Sequence, residues 1–179
     1  PHAPFDAPPE YLARVRAADL PLPLFRESDL ARQQAFAAID QQTKVAADPR
    51  IRKTVQPVAA GDHDAIASRP PRDYDALEVK ANYYAMIMLI DDQLRRIVDV
   101  LRDTGQLENT IIVYMSDHGE LLGDHGLILK GCRFFEGLVR VPLVFSWPGH
   151  FGRGVASDAL VETIDVAPTL LAAAGLPVP

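Results

Sequence analysis

The chain has a single cysteine, Cys132, among its 179 residues. One cysteine cannot form an intramolecular disulfide and cannot alone build a thiolate metal site. Lysine and arginine together number 18 against 24 aspartates and glutamates, so the formal net charge is −6 at pH 7. Proteins that bind nucleic acid through its phosphates usually carry a net positive charge. We therefore expect neither a disulfide scaffold nor a general nucleic-acid surface.

Long apolar runs are also missing from the sequence. No stretch approaches the ~18 consecutive apolar residues that a membrane-spanning helix needs, and the first residues lack the basic and apolar regions of a signal peptide. Hydrophobic residues make up 48% of the chain and charged residues 23%, which is typical of globular proteins and excludes a disordered tail. We expect a soluble chain that does not bind a membrane.

Proline is common but unevenly distributed, with ten of the 15 prolines within residues 1–71. Proline fixes φ and removes a backbone donor, so we expect residues 1–27 to be extended. Ser28 is a good N-cap and predicts a helix over residues 28–48 that stops before Pro49. Residues 49–76 have no sustained period and are predicted to form a long loop.

The second half predicts regular structure. From Leu77 to Leu101, apolar residues recur at the three/four spacing of a helix, and Gly105 is predicted to close that helix. Two β-prone runs follow, at residues 110–115 and 141–145, and a final helix is predicted from residue 166 to 174. An unbroken apolar run fits a strand covered on both faces. This order of elements predicts an α/β fold.

The segment at residues 116–126, directly after the first predicted strand, concentrates Asp, His and Gly. Ligands of α/β sheets bind beyond the carboxyl ends of strands, where a carboxylate and an imidazole can hold a divalent cation. Asp117 and His118 can share one ion only if the strand ends there, and Gly119 makes that turn easy. Taken alone, the motif also fits a simple turn with an Asx-type hydrogen bond.

Three other catalytic readings fail on their motifs. A zinc protease would show His-Glu-x-x-His on a helix. A serine hydrolase would show a Gly-x-Ser-x-Gly elbow. A nucleotide-binding loop would show Gly-x-x-x-x-Gly-Lys followed by Ser or Thr. The sequence contains none of these patterns.

An ordered set of blocks resembles the sulfatase family of the alkaline-phosphatase superfamily. One block carries Asp117-His118-Gly119-Glu120 at its end, and another begins at Lys130. In chain order the blocks are residues 1–5, 83–93, 109–120, 123–126, 130–131, 135–143, 147–149 and 161–171. The resemblance implies part of an alkaline-phosphatase-like three-layer α/β/α sandwich around a mostly parallel sheet, with residues 77–179 forming the α/β core.

The resemblance also implies roles for individual residues. Asp117 and His118 match the late pair of metal ligands, and the metal is usually Ca²⁺, with Mn²⁺ or Zn²⁺ as alternatives. Lys130 matches the lysine that contacts the sulfate oxygens, and His2 matches the histidine beside the leaving-group oxygen. Without the resemblance, Lys130 would be a surface lysine and His2 a solvated histidine.

Neighbouring residues receive no catalytic role from the resemblance. Asp124 and His125 echo the metal pair, but we interpret them as loop structure. Arg140 is predicted to be structural and to pair with a carboxylate. Cys132 does not fit the family's nucleophile motif, Cys/Ser-x-Pro/Ala-x-Arg, whose Cys or Ser is converted to formylglycine, and is predicted to be a semi-buried small residue.

We predict that the nucleophile segment and the early acidic pair of metal ligands are missing from this chain. Residues 1–179 would then be the C-terminal portion of a sulfatase-like catalytic domain, with formylglycine in the parent but not here. The expected function is metal-dependent hydrolysis of a small-molecule or carbohydrate sulfate ester, and the isolated chain would be inactive. The alternatives are a phosphonate monoester or phosphodiester hydrolase of the same superfamily, and a non-catalytic sulfatase-derived domain.

Overall fold

The computed structural model describes residues 1–2, 5–36, 48–50, 75–131 and 133–178. The helices that it describes are α1 (Pro9–Leu12), α2 (Glu27–Ala35), α3 (Ala76–Asp103), α4 (Glu136–Val139) and α5 (Val166–Ala173). The strands are β1 (Ile112–Met115) and β2 (Leu143–Ser146). Four single 3₁₀ turns connect these elements, at Ala17–Asp19, Leu107–Asn109, Asp124–Gly126 and Thr163–Asp165.

The sequence predicted an extended segment over residues 1–27, but the structure places a short helix within it. Helix α1 begins at Pro9, where a fixed φ and a missing N–H suit the first position of a helix. The segment packs along α3, because Tyr11 Oη donates a 3.0 Å hydrogen bond to Asp92. The Ala7 backbone N–H also donates to Asn82 at 3.3 Å. Proline therefore limits helix length here without preventing a helical turn.

Helix α2 begins at Glu27 rather than at the predicted cap, Ser28. The Asp29 carboxylate accepts a 2.8 Å hydrogen bond from the Arg26 backbone N–H, so Asp29 holds the first turn. An ionised carboxylate near a helix N-terminus also interacts favourably with the helix dipole, which a serine hydroxyl does less well. The predicted continuation of this helix over residues 37–47, and residues 51–74 of the loop predicted at residues 49–76, lie outside the described residues. Asp48, the last residue of the predicted helix, is not helical.

Helix α3 confirms the strongest periodic pattern in the sequence. It begins at Ala76, one residue before the predicted start, because the Asp75 carboxylate accepts a hydrogen bond of 2.9 Å from the Leu77 N–H. Its last turn closes at Gly105, whose φ of +69° favours glycine. The apolar stripe is buried near the N-terminal end of the helix, whereas Ile97 is 58% exposed. The core therefore lies against the first turns of α3.

Strands β1 and β2 form the two-stranded sheet of the described residues. They pair antiparallel, with Ile112 opposite Ser146 and Met115 opposite Leu143. Both strands lie within a residue or two of the predicted positions, although this pair is not one of the parallel pairs expected of the sheet. The connection between them carries the segment predicted to bind metal, so β1 and α4 together position that segment.

Two buried apolar clusters flank this connection. Ala76, Ile128 and Leu129 form the first, and Phe5 and Val79 pack against it. The second consists of Leu121, Leu127 and Leu138, with Phe135 packed against it. Because the two clusters use neighbouring residues of the same loop, the loop is fixed on both sides by apolar burial.

Among the described helices, none combines the length and the apolar character needed to cross a bilayer.

Candidate active site

The chain turns sharply directly after β1. Ser116 Oγ donates a 2.7 Å hydrogen bond to the carbonyl oxygen of His118. The backbone N–H of His118 donates to Asp117 Oδ1 at 3.0 Å. These two hydrogen bonds close the turn. Because the backbone turns here, the side chains of Asp117 and His118 need not point to opposite faces as they would in a strand. The turn that the sequence required for a shared ion is therefore present.

Helix α4 holds this turn in place from the other side. The backbone N–H of Gly119 donates to the carbonyl oxygen of Leu138 at 2.9 Å. A Cβ built on Gly119 would overlap the carbonyl oxygen of Gly137 and lie 2.9 Å from its carbonyl carbon. Only glycine permits so close an approach of two backbones. Gly119 is thus required by packing against α4, in addition to easing the turn.

Asp117 and His118 present a pair of donor atoms to solvent. His118 Nε2 lies 3.7 Å from Asp117 Oδ2, and the two side chains are 41% and 85% exposed. His118 Nδ1 lies 2.9 Å from the carbonyl oxygen of Gly119. Because a carbonyl oxygen only accepts, Nδ1 donates in this contact, and in the neutral ring Nε2 is then the nitrogen with a free lone pair. Metal-binding histidines commonly have this second hydrogen bond to a backbone carbonyl.

The Asp117 carboxyl is held in its ionised form. The hydrogen bond from the His118 backbone lowers the pKa of Asp117, and the positive charges of the His118 ring, when it is protonated, and of the Lys130 ammonium lower it further. A carboxylate oxygen and an imidazole nitrogen suit a divalent cation. These two residues fit part of a metal site. Within the described ranges, no group of three or more His, Cys, Asp or Glu side chains could hold a metal.

Lys130 makes a close ion pair with a residue that the sequence reasoning missed. Its Nζ lies 2.9 Å from Glu120 Oε1, and the two side chains are 19% and 1% exposed. The second carboxylate oxygen, Oε2, is buried and has no hydrogen-bond partner in the part of the chain that the structure describes. The sequence signal for this pair was weak, because an acid ten residues before a lysine has no regular spacing.

The structure brings Asp117, His118 and Lys130 to one region beyond the end of β1. Lys130 joins this region through Glu120, which follows His118 by two residues and whose Oε1 lies 2.9 Å from Lys130 Nζ. Burial, and then the charge of the Glu120 carboxylate, raise the pKa of the Tyr83 phenol on α3. Three of the four residues singled out from the sequence therefore lie together.

The fourth residue, His2, is exposed at the start of the chain. The structure ties its segment to the site through Phe5, whose ring meets that of Tyr83 edge to face at 5.8 Å. Phe5 also packs on the cluster that includes Ile128 and Leu129, just before Lys130. Phe5 thus lies beside the chain leading into Lys130, and the role of His2 itself stays a prediction.

The second Asp-His pair has the contacts of loop structure, as interpreted from the sequence. Asp124 Oδ1 accepts a 2.8 Å hydrogen bond from the Leu24 N–H. The His125 N–H donates to the Leu24 carbonyl oxygen at 2.7 Å. The His125 ring stacks on Phe135 with 3.9 Å between centroids. These residues fasten the loop to the segment before α2.

Two further expectations concern Arg140 and Cys132. The Arg140 guanidinium lies 3.7 Å from the Glu136 carboxylate, which is the predicted pairing with an acid, although both side chains are largely exposed. Cys132 lies outside the described residues. Among the described residues, Arg140 pairs with Glu136 on α4 and is not part of the Asp117, His118 and Lys130 grouping.

A cavity of about 770 Å³ lies between α2 and the chain before α4. Arg26, Arg32 and Phe134 are among the residues that line it. Asp117, His118 and Lys130 are not among its described lining residues. The candidate site is therefore a surface beyond β1 that is separate from this cavity.

One short match to the family's nucleophile pattern does occur in the sequence. Residues 68–72, Ser-Arg-Pro-Pro-Arg, match the short form Cys/Ser-x-Pro/Ala-x-Arg, so the pattern is not strictly absent from the chain. These residues lie outside the described part of the structure. They also follow His2 along the chain, whereas the resemblance places the nucleophile ahead of that histidine. The order of the motifs therefore argues against Ser68 as the nucleophile.

Comparison with known proteins extends over nearly the whole chain. A family model described as Sulfatase matches residues 1–176. The multifunctional alkaline phosphatase superfamily protein PehA of Trinickia caryophylli is 34% identical over 175 residues, which cover 96% of this chain and 32% of that protein. An arylsulfatase of Clostridium perfringens (strain 13 / Type A) is 32% identical over 182 residues, covering 100% of this chain and 33% of that enzyme.

A solved structure shows the same relationship. The phosphonate monoester hydrolase of Agrobacterium radiobacter aligns with a TM-score of 0.75 and 31% identity, over 99% of this chain and 33% of that chain. This match confirms the predicted α/β fold. The chain spans about a third of the length of the curated relatives that it matches.

Proposed function

The chain belongs to the sulfatase family, and from that premise we propose that it supplies part of the active site of a hydrolase that cleaves sulfate esters. The observation that carries this proposal is the grouping of Asp117, His118 and Lys130 beyond the end of β1, where Lys130 contacts Glu120, two residues after His118. The turn that holds them is built into the fold by Gly119 and α4. The whole protein would add the nucleophile and the remaining metal ligands.

Asp117 and His118 would hold a divalent cation in this proposal. A bound cation acts as a Lewis acid that polarises an oxygen of the ester group. The Asp117 carboxylate supplies negative charge, and the His118 Nε2 lone pair supplies a second donor atom that Gly119 orients through Nδ1. Ca²⁺ prefers oxygen ligands, so the imidazole also makes Mn²⁺ and Zn²⁺ candidates.

Lys130 would bind the non-bridging oxygens of the ester. Its ammonium has three N–H donors, and the contact with Glu120 occupies one of them. The remaining donors can meet the charge that gathers on these oxygens as the ester bond breaks. His2 would give a proton to the bridging oxygen as it leaves, which lowers the barrier for a poor leaving group.

The substrate of the whole protein would be a small-molecule or carbohydrate sulfate ester. The likeness to an arylsulfatase supports sulfate. The likeness to a phosphonate monoester hydrolase supports the alternative, a phosphonate monoester or phosphodiester. Both ester types present tetrahedral groups with anionic oxygens, so Lys130 and a cation would serve either one.

The test compares turnover of p-nitrophenyl sulfate and p-nitrophenyl phenylphosphonate by the protein expressed from its complete coding sequence. We expect the larger kcat/KM for the sulfate, and loss of turnover after treatment with a chelator. A larger kcat/KM for the phosphonate would establish the alternative. Absence of turnover of either ester, together with a coding sequence that has no nucleophile motif ahead of His2, would support a non-catalytic domain.

A further inference from the structure

Glu120 is the most deeply buried charged side chain near the candidate site. Its side chain is 1% exposed, and one carboxylate oxygen lies 2.9 Å from Lys130 Nζ. Lys130 itself is 19% exposed, so the ion pair joins a buried carboxylate to an ammonium that reaches the surface. Such a position is unusual for glutamate, which is rarely buried unless it is paired.

The surroundings of Glu120 fix its position. Gly119, the preceding residue, is pinned against Gly137 and Leu138. Leu121, the following residue, is 1% exposed and belongs to the second apolar cluster. The backbone on both sides of Glu120 is therefore fixed by packing, which limits the movement of its carboxylate. The Lys130 side chain must extend to this carboxylate to form the ion pair.

The burial of the Glu120 carboxylate restricts the position of the Lys130 ammonium. The Glu120 Oε2 atom is shielded from solvent and has no hydrogen-bond partner among the described residues. The carboxylate therefore depends on the contact between Oε1 and the Lys130 ammonium. A buried carboxylate that loses its only cationic neighbour is strongly disfavoured. The fold therefore constrains the Lys130 ammonium to remain within reach of Glu120.

We propose that Glu120 is the positioning residue for Lys130, which holds the ammonium at the point where it meets the anionic oxygens of the ester. This inference rests on the proposed function, because it assigns a purpose to the fixed position of Lys130. A lysine side chain has four rotatable bonds and would otherwise lose much of its entropy on binding the ester. Preorganisation by Glu120 removes that cost before the substrate arrives.

The test is a double-mutant cycle on the complete protein, with Glu120→Gln, Lys130→Met and the double variant. Glu120→Gln keeps the shape of the side chain and removes its charge. We expect kcat per folded molecule to fall about ten- to a hundredfold, with a much smaller change in KM. In the Lys130→Met background, Glu120→Gln should change kcat by less than about twofold, because residues that act together are non-additive.

A second measurement does not depend on activity. Thermal unfolding should show Lys130→Met less stable than the double variant, because only the single variant leaves the buried carboxylate unpaired. Glu136→Gln is the matched control, since it removes a carboxylate from an exposed ion pair with Arg140. That control should leave both kcat and the unfolding temperature unchanged.

The outcomes separate this inference from the proposed function. Equal losses of kcat from Glu120→Gln in both backgrounds would overturn the positioning role, as would a normal kcat with only a lowered unfolding temperature. In either case a large loss from Lys130→Met would still support the proposed function. Normal turnover by Lys130→Met would instead count against the role of Lys130 and hence against both.

Discussion

The backbone N–H of Gly119 donates a 2.9 Å hydrogen bond to the carbonyl oxygen of Leu138, and this bond joins the turn after β1 to helix α4. The candidate ligands Asp117 and His118 precede Gly119 directly, so their position depends on a contact with residues almost twenty positions later. The site is therefore a product of tertiary packing as much as of its local motif.

Replacing Gly119 should damage the site through this contact. In Gly119→Ala the new Cβ would overlap the carbonyl oxygen of Gly137, so either α4 or the turn must move. We expect a destabilisation of about 1–3 kcal/mol, as for other overpacked positions. A shift of the turn should also lower turnover about a hundredfold. Urea unfolding and aryl sulfate kinetics on the complete protein measure the two effects.

Gly137→Ala is the matched control for this change. A Cβ at Gly137 would meet only ordinary contacts, the nearest at 3.7 Å to the Glu120 carbonyl oxygen. Alanine within a helix is favoured over glycine by about 1 kcal/mol. We expect this variant to be as stable as the original or slightly more so, with normal turnover. Equal damage from both substitutions would contradict the steric argument.

The two Asp-His pairs should respond differently to substitution. Asp117→Ala removes a proposed metal ligand, so we expect the purified protein to lose bound divalent metal while its fold survives, because the side chain is 85% exposed. Asp124→Ala removes the acceptor of the Leu24 N–H. That variant should keep its metal and lose about 1–2 kcal/mol of stability.

Elemental analysis and urea unfolding of the two aspartate variants distinguish these effects. The opposite pattern, with metal lost from Asp124→Ala and retained by Asp117→Ala, would exchange the roles of the two pairs.

The ionisation of Asp117 gives a prediction about pH. Its pKa is lowered from the ordinary value of 3.8, mainly by the hydrogen bond from the His118 N–H. A carboxyl with a lowered pKa in the folded chain stabilises the fold above its unfolded pKa, and this stability is lost as pH falls through the folded pKa. Carbon-detected NMR titration of the metal-free protein should place the Asp117 midpoint below 3.8.

Two variants identify the causes of that low pKa. In His118→Ala the backbone N–H still donates to Asp117, so the pKa should rise only part of the way back. In Lys130→Met the rise should be smaller still, because the ammonium is the weakest of the named causes. A full return to the ordinary value in His118→Ala would show that the imidazole, rather than the backbone, is responsible.

Much of the fold could be predicted from local sequence pattern. Helix α3 and strands β1 and β2 follow from long, consistent apolar patterns, and Gly105 marks the end of α3 as expected. The start of α2 was misplaced because Ser28 is a residue type that favours the N-cap position, whereas the structure places the N-cap at Arg26. This start depends on the geometry of the first turn, in which the Asp29 carboxylate accepts a hydrogen bond from the Arg26 N–H.

The candidate site was only partly predictable. Asp117 and His118 form a recognisable motif at the end of a strand, and Lys130 lies in one of the sequence blocks that resemble the sulfatase family. Glu120 was missed because its pairing with Lys130 depends on how the intervening loop folds back between two apolar clusters. The steric need for glycine at position 119 could not be predicted either, because Gly137 lies close to it only in the folded chain.

If this chain carries metal-binding and ester-contacting residues of a sulfatase, the complete protein must depend on them for turnover. The decisive measurement is the kcat/KM for p-nitrophenyl sulfate of the complete protein, compared with its Asp117→Ala and Lys130→Met variants after each is shown to be folded. We expect metal-dependent turnover by the unaltered protein and a loss of at least about a hundredfold in each variant. Turnover that persists undiminished in both folded variants would show that these residues are not part of the active site.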